Sequence, residues 1–424
     1  MSQSGEFLSF REQQTTFEPI EINGTGNIDT IGEGASFEAN FYAPGTDLFD
    51  NQPDEILGTK TATFEVTAQL GNGDFIAFID ETNELPGGKI LAEGIQIGRD
   101  INMPITGGTG SFENLIGVDN VTIRDDIGLG IFDVSFRKLE EINGTRSDDN
   151  LTGNNTSEFI TGNNGDDTIA GRQGNDIIEG GRGGDIIRGG AGNDILAADR
   201  IDRFQDFDGT ISELRGGNGD DIIYGGSKDD TIGGGNDNDL LFGKSGDDLI
   251  RGGSGFDLLK GGVGNDTLRG QADIDVADYS DLSINGVFGT VAGLDVNLNT
   301  NKALHSSSNN ALTWTDTLTT IENVIGTSRN DRFIGDGNDN VFYGLGEVGR
   351  DDRQTEFIGL DGSSYKVTAD VVEYEGNQSE FTFGVSEFPF AGLTVSGTGI
   401  GTDTLIGIEF IKFDDGVVAT SDII

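Results

Sequence analysis

The chain has 424 residues, with 26 Lys and Arg against 74 Asp and Glu, and its formal net charge is −48 at pH 7. This charge argues against binding to nucleic acid or to an anionic membrane surface, because both partners need a basic footprint on the protein. The sequence has no Cys and a single His, which excludes disulfides, Cys-based zinc sites and HExxH metalloprotease chemistry within this chain.

Residues 1–140 are predicted to form an N-terminal β domain. Phe64, Val66 and Ala68 alternate with polar residues before a Gly-rich turn at 71–74, and residues 132–137 alternate in the same way. Short alternating strands between such turns indicate an antiparallel sandwich or a closed barrel. The first residues, MSQSGEFLSFREQQ, show no basic segment followed by an apolar one, so no cleavable signal peptide is expected.

This domain contains LPGGKILAEGIQI, then MPITGGTGSFENLIGVDNV, after an early hairpin-like stretch at 45–66. Over about residues 35–138 it resembles the allene oxide cyclase and dirigent barrel family. The resemblance implies an eight-stranded barrel whose apolar cavity guides cyclisation or radical coupling of a hydrophobic substrate without a cofactor. The Cys of the plant cyclases has no counterpart here, so their active site is not carried over. The glycines at 107–110 are interpreted as a hairpin corner, because no helix pattern follows them.

A nine-residue repeat organises the middle of the chain. It runs for six units from Gly144, restarts for seven units at Gly216 and returns at Gly326. The leading glycines suit a tight turn, and the eighth position is aliphatic. The sixth position is acidic at Asp149, Glu158, Asp167, Asp176, Asp185, Asp194, Asp221, Asp230, Asp239, Asp248, Asp257 and Asp266. The pattern predicts six-residue turns alternating with three-residue strands, each of which buries one branched side chain.

Two repeats are predicted to make one coil, so turns on one edge belong to repeats eighteen residues apart. The acids of such turns line up, and a row of unneutralised carboxylates would repel strongly at low dielectric. A hard cation with oxygen ligands removes this repulsion. Ca²⁺ suits flexible oxygen coordination better than Mg²⁺, which demands octahedral geometry.

The repeat resembles the GGxGxDxUx pattern of the repeats-in-toxin (RTX) family, over about residues 142–280 and 324–345. The resemblance implies a parallel β-roll with several Ca²⁺ ions, each between turns n and n+2 and bound by Asp side chains and turn carbonyls. It pairs Asp167 with Asp185, Asp176 with Asp194, Asp221 with Asp239, Asp230 with Asp248, Asp239 with Asp257, and Asp248 with Asp266. The implied ligands are the aspartates named above and Gly162, Gly165, Gly171, Gly174, Gly180, Gly183, Gly189, Gly192, Gly216, Gly219, Gly225, Gly243, Gly246, Gly252, Gly255, Gly261 and Gly264.

Several positions depart from the pattern. Glu158 would reach too far, Lys228 and Asp237 replace the fourth-position glycine, and Asn340 replaces the acid in the third run. Sites at these positions are expected to be weakened. The alternative interpretation is that the aspartates only cap turns. Bound calcium is expected to be structural, and not regulatory or catalytic.

The two arrays, 144–197 and 216–278, are separated by residues 198–215. This segment has the length of one coil, which predicts a degenerate coil or bulged loop that keeps the parity of the repeats and leaves the stack continuous. The alternative is a break into two rolls. Asp194 would end its array, so losing Asp194 should affect fewer sites than losing Asp248.

Residues 281–424 contain the further repeats at 326–345 and period-two apolar segments that indicate a β cap over the open end of the roll. Residues 421–424, SDII, resemble the uncleaved C-terminal signal of type I export, and the alternative is an ordinary last strand. The single His, His305, lies in a Ser- and Asn-rich stretch and is predicted to be at the surface.

The predicted fold class is all-β: an antiparallel barrel at 1–140, a calcium-binding β-roll at 141–280 and a cap at 281–424. The first functional hypothesis is a secreted or cell-surface calcium-binding protein whose roll folds after export and whose barrel is a binding module. The second is a cofactor-free cyclase or isomerase of small lipophilic molecules, and the third is a surface-layer or adhesive protein. The expected partners are calcium, a type I exporter, and a small lipophilic ligand or cell-surface polysaccharide, with no membrane span.

Overall fold

The protein is represented by a computed structural model. It describes the backbone of residues 5–20, 34–42, 58–69, 75–85, 88–97, 100–108, 117–123, 131–199, 211–280, 291–307, 313–327, 329–344, 355–358, 364–367, 370–386 and 392–423. Side chains are described for residues 139–199, 211–280, 293–305, 313–327, 329–344, 370–386 and 392–423. The chain divides into two compact units, Met1–Ile142 with Ser157–Phe159, and Asn143–Thr156 with Ile160–Ile424.

The N-terminal unit contains a closed antiparallel barrel in which each strand pairs with the next and β8 pairs with β1. Its strands are β1 Gly5–Ile20, β2 Gly34–Tyr42, β3 Gly58–Gln69, β4 Phe75–Leu85, β5 Gly88–Ile97, β6 Asp100–Gly108, β7 Gly117–Ile123 and β8 Ile131–Lys138. The predicted alternating segments lie in β3 and β8, and the register of β3 against β4 shifts between Val66 and Ala68. The predicted turn at 71–74 and residues 109–112 of the ITGGTGSF motif lie outside the described residues.

Residues 140–278 form short strands that alternate between two sheets. These are β9 Glu140–Asn143, β10 Asn150–Thr152, β11 Glu158–Asn164, β12 Thr168–Gln173, β13 Ile177–Arg182, β14 Ile186–Ala191, β15 Ile195–Ala197, β16 Glu213–Asn218, β17 Ile222–Tyr224, β18 Thr231–Asn236, β19 Leu240–Ser245, β20 Leu249–Ser254, β21 Leu258–Val263, β22 Thr267–Ala272 and β23 Val276–Asp278. From β10 to β22 the even-numbered strands pair in parallel in one sheet, and the odd-numbered strands from β11 to β23 form the other. Two repeats therefore make one coil.

The core of the roll lies between these two sheets. The eighth residue of each repeat points inward, because residues on one strand alternate between faces. These side chains have no exposed surface at Ile160, Ile169, Ile178, Ile187, Leu196, Leu214, Ile223, Ile232, Leu241, Ile250, Leu259 and Leu268. The predicted all-β class, with a barrel followed by a parallel roll, is confirmed.

The stack continues across residues 198–215, but with a different register from the predicted one. Ile186 pairs with Glu213 and Ile195 pairs with Ile222, so paired residues are 27 positions apart instead of 18. The interval therefore holds one half-coil, with Ser212 in the acidic position and Leu214 in the core, plus nine further residues. The prediction that parity is kept was wrong. Longer connections cost little closure entropy, so strand pairing rather than residue counting sets the register.

The C-terminal region continues both sheets and ends them with antiparallel strands. Its strands are β24 Val291–Asn297, β25 Lys302–Ser307, β26 Thr313–Thr319, β27 Asn323–Ile325, β28 Arg332–Ile334, β29 Val341–Tyr343, β30 Thr355–Ile358, β31 Ser364–Val367, β32 Val371–Glu373, β33 Thr382–Ser386, β34 Gly392–Gly397, β35 Gly401–Ile406, β36 Phe410–Phe413 and β37 Gly416–Ala419. The sheet of even-numbered strands continues as β22-β26-β25-β24-β28-β32-β36-β37, and the other continues as β23-β27-β29-β35-β34-β33. Short 3-10 segments are Leu298–Thr300, Gln378–Glu380 and Thr420–Asp422. Within the described residues, no helix is long and apolar enough to cross a membrane.

Candidate metal-binding ladders

The acidic positions of successive coils form two continuous ladders. In each step, the backbone N–H of one acidic position donates to a side-chain oxygen of the next, at 2.7–3.3 Å. The first ladder is Asp149, Asp167, Asp185, Ser212, Asp230, Asp248, Asp266 and Asp316. The second ladder is Asp176, Asp194, Asp221, Asp239, Asp257, Asp275 and Glu322. Coil stacking thus brings together all six predicted aspartate pairs.

Asp194 does not end its array. Its backbone N–H donates to Oδ1 of Asp221 at 2.7 Å, across the 198–215 interval. The predicted boundary at Asp194 was therefore wrong, because the extra residues leave the strands before and after them paired. On the other ladder, Ser212 fills the step between Asp185 and Asp230 with a hydroxyl in place of a carboxylate.

One oxygen of many ladder aspartates has no partner. Oδ1 accepts the ladder bond, while Oδ2 is buried and accepts no hydrogen bond from the described part of the chain. We call these the open carboxylates: Asp167, Asp194, Asp221, Asp239, Asp248, Asp257, Asp266 and Asp275. A buried unpaired polar atom costs stability, and a carboxylate oxygen in this state is a ready acceptor for a cation.

The fourth residue of a repeat separates two kinds of turn. Before the open carboxylates this residue has positive φ, for example 124° at Gly246, in the left-handed region that favours glycine. The predicted ligands Asp176 and Asp185 follow the same turn, with φ of 112° at Gly174 and 132° at Gly183. Asp237, which replaces the glycine, keeps a φ of 74°, so the turn is retained there.

In the second kind of turn the aspartate is capped by its own repeat. The N–H of Gly226 donates to Oδ2 of Asp230 at 2.6 Å, in the turn where Lys228 stands fourth and lacks positive φ. The N–H groups of Thr145 and Thr327 donate in the same way to Asp149 and Asp331, each at 2.6 Å. Asn340 accepts from the N–H of Asp336 at 3.1 Å. We call these capped turns.

Glycine carbonyls lie beside the open carboxylates. A Cβ on Gly162 would collide with Oδ2 of Asp167 and with the carbonyl oxygen of Gly180, the equivalent glycine one coil further on. A Cβ on Gly183 would collide with the carbonyl oxygen of Gly165. Among the described residues, no point gathers three or more His, Cys, Asp or Glu side chains. A cation here would therefore take carbonyl oxygens as well as carboxylates, and such an all-oxygen donor set fits Ca²⁺.

Burial dominates the electrostatics of the ladders. It raises the pKa of the Asp239 carboxyl to about 10, helped by the nearby charges of Asp221 and Asp257. It raises the pKa of Asp194 to about 9 and that of Asp248 to about 7. An ionised carboxylate is thus unfavourable at these positions unless a positive charge accompanies it.

Sequence analysis missed several acidic residues that accept a backbone N–H hydrogen bond from a residue distant in the sequence. Asp275 and Asp331 occupy the sixth position of recognisable repeats, so the period could have found them. Asp316, Glu322, Asp370, Asp403 and Glu409 do not follow the nine-residue spacing, but each stands two residues before a buried apolar side chain: Leu318, Val324, Val372, Leu405 and Ile411. The repeats show the same spacing, with an acid at the sixth position and an aliphatic residue at the eighth, so this signal could have found these residues.

His305 is buried, and the prediction of a surface histidine was wrong. Its side chain is 1% exposed, stacks on Trp314 with ring centroids 5.4 Å apart, and places Nε2 3.3 Å from Oδ2 of Asp316. It lies on β25, which pairs antiparallel with β24 on one side and with β26 on the other. The Ser- and Asn-rich residues that follow His305 suggested exposure, but strand pairing places the imidazole inside.

Comparison with known families matches both parts of the chain. The family model described as RTX calcium-binding nonapeptide repeat (4 copies) matches residues 140–169, 161–196, 215–250, 242–277 and 318–347. The model described as Allene oxide cyclase barrel like domain matches residues 41–125. The chain therefore contains RTX calcium-binding nonapeptide repeats and an allene oxide cyclase-like domain. Its RTX repeats are of the calcium-binding class.

Solved structures similar to this chain include "Pyocyanin demethylase", with 17% identity and a TM-score of 0.25, covering 30% of this chain and 98% of that one. The Diels Alderase AbmU from Streptomyces koyangensis has 15% identity and a TM-score of 0.25, covering 31% of this chain and 65% of that one. The extracellular lipase LipA from Serratia marcescens has 15% identity and a TM-score of 0.15, covering 48% and 43%. This chain thus covers less than two thirds of the length of the latter two proteins. No curated protein matches the sequence.

Proposed function

We propose that the roll binds several Ca²⁺ ions along its two ladders and folds as it binds them. The observation that carries this proposal is the set of open carboxylates, each with a buried Oδ2 that accepts no hydrogen bond. Calcium would supply the positive charge that these oxygens lack. Because the ligands come from different coils, binding would be coupled to folding.

The chain's own residues prepare each site. The ladder bond fixes Oδ1 of each aspartate, and the turn with positive φ at its fourth residue leaves Oδ2 without a hydrogen bond from its own repeat. The first-position glycines bring carbonyl oxygens close to the carboxylate without a side chain in the way. Burial excludes water, so the carboxylate cannot be solvated instead.

We place the ions between open carboxylates of neighbouring coils, with the glycine carbonyls as further ligands. Asp239 with Asp257 and Asp248 with Asp266 are representative pairs. Asp149 and Asp230 were also among the predicted ligands, but their second oxygens are already hydrogen-bonded within their own turns. We expect calcium to bind these two positions less readily than the open ones.

We further propose that the protein is secreted or displayed at the cell surface. With a net charge of −48, the repeats should stay unfolded at cytosolic calcium and fold at the ~0.1–1 mM typical of extracellular modules. Folding after passage through a type I exporter would then give export a direction. We propose the same division as the sequence suggested: barrel 1–140, calcium roll 141–280, and further repeats with the cap at 281–424.

A calcium titration of the full chain tests the function. The chain, first treated with EDTA, would be titrated with Ca²⁺ and in parallel with Mg²⁺ while far-UV circular dichroism is recorded. A cooperative gain of β signal near millimolar Ca²⁺ that Mg²⁺ does not reproduce supports the proposal. A spectrum that does not respond to Ca²⁺ would mean that the aspartates only cap turns.

The barrel supports a second candidate function. Its eight strands close into a barrel, and residues 41–125 match the allene oxide cyclase-like family. We propose primarily a module that binds a small lipophilic ligand or a cell-surface polysaccharide, and alternatively a cofactor-free cyclase or isomerase. Turnover of lipophilic epoxide or polyene substrates by the calcium-loaded chain would favour the enzyme. Saturable binding without turnover would favour the binding module.

A further inference from the structure

The first ladder ends at a carboxylate whose second oxygen is already hydrogen-bonded. Asp316 accepts the ladder bond from the N–H of Asp266 at 2.8 Å, as its predecessors do. Its Oδ2 differs, because the hydroxyl of Tyr279 donates to it at 3.0 Å and Nε2 of His305 lies 3.3 Å from it. Tyr279 is 1% exposed and Asp316 is fully buried. A neutral hydroxyl thus occupies the place where the open carboxylates lack a donor.

The same arrangement occurs a second time on different strands. Asp403 accepts the N–H of Asn340 on Oδ1 at 3.0 Å, and the hydroxyl of Tyr374 donates to its Oδ2 at 2.9 Å. Tyr279 and Tyr374 are far apart in sequence, and neither belongs to a nonapeptide turn. The fold therefore uses a tyrosine hydroxyl twice as the hydrogen-bond donor to the buried Oδ2 of an aspartate.

Packing holds both phenols in position. The Tyr279 ring lies 6.0 Å from the ring of His305, and the Tyr374 ring lies 5.4 Å from that of Phe381 and 6.1 Å from that of Phe413. Burial raises the pKa of both tyrosines above the ordinary value. Each hydroxyl therefore remains a hydrogen-bond donor throughout the pH range in which the protein would function.

We propose that the Tyr279–Asp316 and Tyr374–Asp403 pairs close the C-terminal part of the roll without a metal ion. Strands β26 to β36 then keep their structure when calcium is withdrawn, and offer a formed end on which the calcium-dependent coils can assemble. This inference rests on the proposed calcium function of the open carboxylates. The open carboxylates then belong to the calcium-dependent coils, and the tyrosine-bonded carboxylates belong to the C-terminal part of the same stack.

Hydrogen exchange of the full chain, measured by mass spectrometry in calcium and in EDTA, tests the inference. In EDTA, peptides from residues 160–275 should lose protection, while peptides from 313–325 and 401–413 should keep protection at least tenfold above that of the arrays. Equal loss of protection in both regions would overturn the inference. Retained protection in both regions would instead remove the calcium function on which it rests.

Two substitutions separate the closure from calcium binding. Tyr279→Phe and Tyr374→Phe should speed exchange at their own ends of the stack in EDTA by at least tenfold, while the calcium-saturated chain binds as many ions as the wild type. Tyr224→Phe is the control, because its ring stacks on Phe242 at 5.0 Å on the strand β17, away from Asp316 and Asp403.

Asp239→Asn should show the reverse: fewer bound ions and unchanged exchange at 313–325 in EDTA. Loss of a calcium ion in Tyr279→Phe would overturn the proposal. If one variant fails to fold, hydrogen exchange of the wild-type chain in calcium and in EDTA still tests the proposal.

Discussion

The N–H of Gly226 donates to Oδ2 of Asp230 at 2.6 Å. The equivalent oxygen of Asp248, one coil further along the same ladder, is buried and accepts no hydrogen bond. The two turns differ in backbone at two residues: Lys244 and Gly246 have φ of 74° and 124° in the open turn, whereas neither Gly226 nor Lys228 has positive φ in the capped turn. The backbone conformation of the turn therefore separates a capped ladder carboxylate from an open one.

Opening the capped turn should create a calcium site. In Lys228→Gly the fourth residue can adopt positive φ without a Cβ penalty, which frees Oδ2 of Asp230. We expect at least one additional bound Ca²⁺ by isothermal titration calorimetry. Lys228→Ser is the matched control, because it removes the same charge but does not favour positive φ. Identical stoichiometry in the two variants would contradict the turn-class model.

Asp194 and Asp248 should be equally important. Each accepts a ladder bond from one coil and donates one to the next, although the sequence alone predicted a smaller loss for Asp194. Asp194→Ala and Asp248→Ala should therefore lose the same number of calcium ions. At calcium 100-fold above Kd, each lost site lowers the free energy of unfolding by about 2.7 kcal/mol.

The exposed neighbour Asp247 supplies the control for charge. Asp247→Ala removes one carboxylate from the same turn as Asp248, and we expect the calcium stoichiometry to stay at the wild-type value. Equilibrium dialysis with urea unfolding at fixed calcium measures both quantities. A clearly smaller loss for Asp194→Ala than for Asp248→Ala would show that the ladder is broken at 198–215.

Acid should stabilise the metal-free roll. The folded pKa values of Asp239, Asp221 and Asp257 are about 10, 8 and 7, above the unfolded value of 3.8, because burial disfavours the charged form. The folded state therefore binds more protons than the unfolded state across this interval, and its stability falls as pH rises from about 4 through 7–10. In EDTA, the β signal of the chain in far-UV circular dichroism should be greatest near pH 4 and should fall as the pH is raised to 9. A β signal that rises with pH in EDTA would refute this assignment.

The central aliphatic row should carry much of the stability of the roll. Ile250 has no exposed surface and lies between the two sheets. Ile250→Ala leaves a cavity and should cost about 2–5 kcal/mol. Ile211→Ala, at a residue that is 61% exposed, should change stability by no more than about 0.5 kcal/mol. Urea unfolding of the calcium-saturated chain measures both; equal effects would argue against a core built from the eighth positions.

The nonapeptide period alone determined the coil, the buried aliphatic row and the pairing of aspartates eighteen residues apart. It could do so because each coil contacts only its neighbours, so that local spacing becomes spatial spacing. The alternating segments of the first 140 residues determined an antiparallel β domain for a similar reason, since a period of two requires a strand.

Only the tertiary structure decided which carboxylates are open and where the ladders end. Oδ2 of Asp230 is capped through the backbone angle of a turn, and Asp316 is reached from Asp266 across an interval of 50 residues. His305 is buried because its strand is inserted between two others. These outcomes depend on backbone geometry and on contacts between distant residues, which a repeat read along the chain does not contain.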